Sequence, residues 1–107
     1  MAEDANFRVE KFNGQNFPLW KMQMEDYLYQ KDLYLPLSGK TKKPVAMTDA
    51  EWKILDRKAL RTVWLCLAAS VAFNILKETT TESLMQTLAK LYEKPSTSNK
   101  VFLMKRL

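Results

Sequence analysis

The side chains that carry out most acid–base and nucleophilic chemistry are nearly missing from this 107-residue chain, which has no histidine and one cysteine. Without histidine there is no imidazole general base, no Ser/His or Cys/His dyad and no imidazole metal ligand. The lone thiol, Cys66, can neither close a disulfide within the chain nor form a zinc knuckle, which needs several Cys and His ligands around one ion. It lies in the apolar segment WLCLAA and is expected to be a reduced core residue. Carboxylates remain. Asp56 is solvent-facing, paired with Lys53 or bonded to backbone amides of a neighbouring loop, and the solvated position is the expectation. No Gly-rich phosphate loop, metal-ligand cluster or nucleophile motif accompanies the acids, so the chain reads as non-enzymatic, with no cofactor, metal or small-molecule substrate.

Positive charge and apolar surface are abundant instead. Seventeen Lys and Arg face twelve Asp and Glu, a net charge of +5. Lys40, Lys42, Lys43, Arg57, Lys58 and Arg61 are candidate RNA contacts, able to attract phosphate without reading sequence. The competing reading of these six is an ordinary solvated face. No RNA-binding motif with stacking aromatics is present, so any such contact is expected to be electrostatic and secondary.

The elements that would position these residues are helical. The hydrophobic fraction is 47%, with three Trp, four Tyr and five Phe, whereas Gly (2) and Pro (4) are too few for the many turns of a sandwich or barrel. Residues 1–15 alternate at Phe7, Val9 and Phe12 before Asn13-Gly14, suggesting an extended arm, with a short N-terminal hairpin as a variant. From residue 16 to 107 the pattern is that of one helical domain. Phe17, Trp20, Met24, Tyr27 and Leu28 form the first stripe, with Asn16 as N-cap and Pro18 tolerated in the first turn.

Residues 35–47, with Pro36, Gly39, Pro44 and three lysines, read as a basic surface loop. Thr48-Asp49-Ala50-Glu51 has capping-box form and should open a long helix buried through Trp52, Leu55, Ala59, Val63, Cys66 and Leu67. A break is expected near Ser70. A second box, Thr79 to Glu82, opens a stripe of Leu84, Leu88, Leu91 and Tyr92, which Pro95 stops. Ser98 would cap a last helix that runs out at Leu107. The expected fold is an all-α, small orthogonal bundle of about five helices, with Trp20 and Trp52 in the core.

Taken in order, FNGQNFPLWKMQMEDYL, a basic loop containing KKP, EWKILDRKALRTVWLCL, TTTESLMQTLAKLY and the Asn99-Lys100 start of the last helix resemble the N-terminal part of Copia-type LTR retrotransposon Gag polyproteins. The pieces match the patterns F-x-G-x-N-F-x-x-W, W-x-x-L-D-x-K-A and N-K-x-x-L. The pattern W-x-x-L-x-x-x-Y is met without its Trp, and Leu84 leads that apolar stripe instead. The resemblance covers roughly residues 7 to 107. It implies a capsid N-terminal-domain-like lobe that binds copies of itself, weakly in isolation, to build cytoplasmic virus-like particles around element RNA. Alternatives of another class are an electrostatic nucleic-acid-binding module or a domesticated Gag-derived interaction domain. No membrane partner is expected, since the start is polar and no apolar run approaches the roughly 18 residues of a span. Leu103 and Leu107, at i and i+4 of the last helix, are candidate self-association residues.

Overall fold

Phe12 lies where the arm, the first helix and the last described helix meet. The computed structural model describes residues 9–93. In it the Phe12 ring stacks on Trp20 at 5.0 Å and meets the rings of Phe17 and Tyr92 edge-on at 5.5 and 5.1 Å. Offset and edge-to-face arrangements suit the ring quadrupoles, so one side chain ties three elements together. Its backbone is tied as firmly. The Phe12 N–H donates to the Cys66 carbonyl and the Ala68 N–H donates to the Phe12 carbonyl, both at 2.9 Å, forming a parallel bridge opposite Leu67. The described part of the arm therefore pairs with a distant segment, and the hairpin variant is not seen among the described residues.

Helix α1, Phe17–Gln30, buries Phe17, Trp20, Met24 and Leu28 on one face. Asn16 is its N-cap residue, but its side chain makes no capping bond. Its contribution is conformational: φ is +57°, a left-handed geometry that Asn tolerates better than most residues. At the other end Asp32 is also left-handed, and the Leu33 amide reaches back to the Leu28 carbonyl at 2.7 Å, closing the last turn.

The segment expected as a surface loop is partly structural. Leu35–Ser38 and Lys40–Lys42 are 3-10 turns, with Pro36 and Gly39 buried between neighbouring helices. Gly39 has φ +89°, a backbone conformation that favours glycine, and it packs against the Glu82 carboxylate, which a Cβ there would displace. Only the second half, through the fully exposed Val45, is surface loop.

Helix α2, Asp49–Leu65, starts at the expected box: Thr48 Oγ1 accepts from the Glu51 amide at 3.0 Å, and Glu51 Oε1 accepts from the Thr48 amide at 2.9 Å. It buries Trp52, Ala59, Leu60 and Val63, whereas Leu55, expected in the stripe, is half-buried at the edge of a groove. The helix ends at Cys66 to Ala68 and not at Ser70. The bridge to Phe12 claims the backbone groups of these residues, and Ser70 sits inside the short helix α3, Ala69–Ala72, without capping it. A 3-10 turn, Phe73–Ile75, follows.

Helix α4, Thr81–Tyr92, is capped one residue later than expected. Thr80 Oγ1 accepts from the Ser83 amide at 3.1 Å, and Glu82 takes no part in the cap. Thr81, Leu84, Met85 and Leu88 are buried, which turns Leu91 to the margin of the packed face and leaves it 52% exposed. The core thus gathers Phe12, α1, the C-terminal half of α2, α3 and α4 into one cluster, with Trp52 buried outside it. Among the described residues four α-helices form an all-α domain. The expected last helix, with Leu103 and Leu107, lies outside the described residues.

Candidate functional site

The candidate basic residues do not form one patch. Lys43 is turned inward, its side chain 19% exposed, with Nζ donating to the Met47 carbonyl at 2.6 Å and lying 3.7 Å from Asp49 Oδ1. Lys40 lies 3.8 Å from the same carboxylate. Lys40 and Arg57 line a groove of about 670 Å³ between the 3-10 turns, α2 and the start of α4. Lys53 joins them there, but so do Asp49, Asp56 and Glu82, so the cations are matched by acids and no field of one sign develops. Lys58 lies elsewhere, on a groove of about 550 Å³ with Pro44, Ala46, Met47, Ile54 and Leu55. Lys42 and Arg61 are exposed.

Asp56 is not the solvated carboxylate expected. Its Oδ1 accepts from the Thr81 amide at 2.9 Å, and its backbone carbonyl accepts from Thr81 Oγ1 at 3.0 Å. Thr81 is the first residue of α4, so the carboxylate satisfies an N–H that has no intrahelical partner and sits at the positive end of the helix dipole. The acid pins α4 to α2 and is structural.

Cys66 is half-buried, packed against the core and not fully inside it. Burial pushes its thiol pKa above the ordinary value, and nearby Lys11 offsets part of that shift. A thiol held protonated is a poor nucleophile. Among the described residues no group of three or more His, Cys, Asp and Glu could hold a metal ion. Likewise, no helix among them is long and apolar enough to cross a membrane.

The feature that sequence reasoning missed is apolar and outward. Ile54 is 59% exposed, Leu65 72%, Phe73 74% and Leu76 57%. Leu65, Phe73 and Leu76 line a third groove with Trp64, Leu67, Ala69, Ala72 and Lys11, about 340 Å³ in volume. The signal was present in α2: Ile54, Lys58, Arg61 and Leu65 are spaced by four, three and four residues, a second stripe opposite the buried one.

Comparison with known proteins gives this surface a context. The family model described as the gag-polypeptide of LTR copia-type matches residues 24–107. The chain belongs to the Copia-type Gag family. It is also 36% identical over 104 residues to the Retrovirus-related Pol polyprotein from transposon TNT 1-94 of Nicotiana tabacum, an alignment covering 96% of this chain and 8% of that polyprotein. The chain therefore spans less than a tenth of the length of that relative. No solved structure matches it significantly. Membership assigns this domain to the structural, Gag part of a retrotransposon, and the alignment runs through α1, the α2 capping box and the α4 stripe.

Proposed function

We propose that this domain works by binding copies of itself, as a capsid-type building block of cytoplasmic particles that enclose element RNA. The observation that carries the reading is the outward apolar surface of Ile54 and Leu65 on one face of α2, continued by Phe73 and Leu76, which share a groove with Leu65. Apolar patches of this kind mark surfaces that meet other molecules. Gag membership makes a second Gag copy the fitting partner. Lattice contacts are individually weak and gain strength through repetition, so the isolated domain should be mainly monomeric at low concentration. RNA is the secondary partner, because the cations are dispersed and partly neutralised by Asp49, Asp56 and Glu82. The reading assigns no catalytic role to any residue.

Sedimentation velocity over a concentration series tests it: reversible association that survives added salt is expected, and a strict monomer at millimolar concentration would refute it. Electron microscopy of a longer Gag polypeptide that includes this domain should show particles. Fluorescence anisotropy with unrelated RNA oligonucleotides should give weak, sequence-indifferent binding. With about four cations on phosphates, the log–log salt slope should be roughly −3 for single strands. Tight binding to one oligonucleotide at high salt would favour a nucleic-acid module instead.

A further inference from the structure

The outward stripe of α2 has a property beyond being apolar. Within the helix it reads Glu51, Ile54, Lys58, Arg61 and Leu65, spaced by three, four, three and four residues, and Met47, in the loop before the Thr48 cap, lies beside Glu51 and Ile54 in one groove. That spacing is the period at which a helix presents one continuous seam to another helix. Glu51, Ile54, Lys58, Arg61 and Leu65 are all exposed, and Met47 is half-buried. The seam is complementary to its own reverse. Turned end for end about the level of Asp56, Glu51 meets Arg61, Ile54 meets the methylene stem of Lys58, and Leu65 meets the loop that ends at Met47. Apolar ends thus meet apolar ends, and the single acid of the seam meets the cation nearest its other end.

We infer that α2 pairs with α2 of a second copy, antiparallel and about a two-fold axis at the level of Asp56, through two symmetry-equivalent Glu51–Arg61 ion pairs. This inference rests on the self-association reading and names the surface responsible. An isologous contact needs one patch that fits itself, and this seam does so through the Glu51–Arg61 pairing and its apolar ends. Glu51 can serve both its cap and its partner. Its Oε1 accepts from the Thr48 amide, and its second carboxylate oxygen remains available to a guanidinium. Leu65, flanked by Phe73 and Leu76 in the same groove, receives the end of the partner's loop at Val45 and Met47. A helix of 17 residues offers a seam only about 25 Å long, which makes a small contact. The two Lys58 side chains fall about 6 Å apart along the axis, and their repulsion keeps the pair weak. The pairing also removes Lys58 and Arg61 from the surface open to RNA.

The test is charge reversal followed by mixing, read by sedimentation equilibrium. E51R alone sets two cations against each other at both symmetry-related pairs, and R61E alone sets two carboxylates against each other there, so each should weaken association about tenfold or more. In an equimolar mixture of the two variants, one of the two pairs joins the introduced arginine to the introduced glutamate and the other keeps the native Glu51 and Arg61. Both pairs are then of opposite charge, and the mixture should associate about as well as the unmodified chain. Neither a folding defect nor a general loss of charge produces that rescue. Because Glu51 also caps α2, E51Q serves as a control: Gln keeps the cap but not the charge, and should weaken association with little change in thermal unfolding. If the unmodified chain associates but mixing gives no rescue, this surface is wrong while self-association stands. If the unmodified chain stays monomeric at millimolar concentration, both readings fall.

Discussion

Helix α2 carries two apolar stripes, and they have different fates. The inner one, Trp52, Ala59, Leu60 and Val63, is no more than 7% exposed at any position. The outer one, Ile54 and Leu65, is more than half exposed. Burial of apolar surface drives both folding and association, so residues of the same type on opposite faces of one helix can be directed to different partners. The inner stripe is satisfied within the chain; the outer one, interrupted by Lys58 and Arg61, stays open to solvent and is the surface proposed to meet a second copy.

The comparison breaks most visibly by truncation. Trp52→Ala should lose about 3 to 5 kcal/mol of stability and Leu60→Ala about 2 to 5, measured by denaturant unfolding. Leu65→Ala should stay within about 0.5 kcal/mol, because its side chain already meets solvent. A Leu65→Ala variant as unstable as Leu60→Ala would show that the outer stripe is covered within the chain.

Asp56, on the inner face one turn after Trp52, sharpens the contrast. Asp56→Ala leaves the first amide of α4 without its acceptor and should cost about 1 to 3 kcal/mol. Asp56→Asn keeps an acceptor oxygen and should lose less; equal losses would mean that the charge at the helix end dominates the bond. At the start of α2, Thr48→Ala should cost about 1 kcal/mol and show faster amide exchange in the first turn than in the last.

The smallest effect concerns Cys66 at the end of the helix. Its thiol pKa is raised on folding, so the folded chain holds the proton longer than the unfolded one. Stability from this residue is therefore full below the ordinary thiol pKa and declines slightly as pH rises through and beyond it. Cys66→Ala should remove that alkaline decline. Alkylation of the native chain should be slower than that of the unfolded chain at the same pH.

What the sequence made legible follows the range of each interaction. The Thr48 box is readable because all its partners lie within three residues, and the stripes of α1 and α4 are readable from their period. The cap of α4 falls one residue later than its box suggests because three consecutive threonines offer equivalent caps, and packing through Thr81 chooses among them. The role of Asp56 is hidden because its partner lies 25 residues away. The break after Leu65 is set by Phe12 from the far end of the described chain, a contact that no local pattern encodes. Of the candidate RNA contacts, Lys43 cannot be recognised as inward-turned, since a lysine in a Pro-containing loop looks exposed until Met47 and Asp49 are placed beside it. The outer stripe is visible as spacing but easily passed over, because the stronger inner stripe already accounts for the helix.

The central claim is that the outer face of α2 is reserved for a second copy and contributes nothing to the fold of its own chain. The double substitution Ile54→Ser with Leu65→Ser tests it most directly, followed by thermal unfolding at low concentration and sedimentation equilibrium at high concentration. The account predicts an unfolding midpoint within a few degrees of the unmodified chain together with loss of reversible association. A collapse in the midpoint, or association as strong as before, would contradict it.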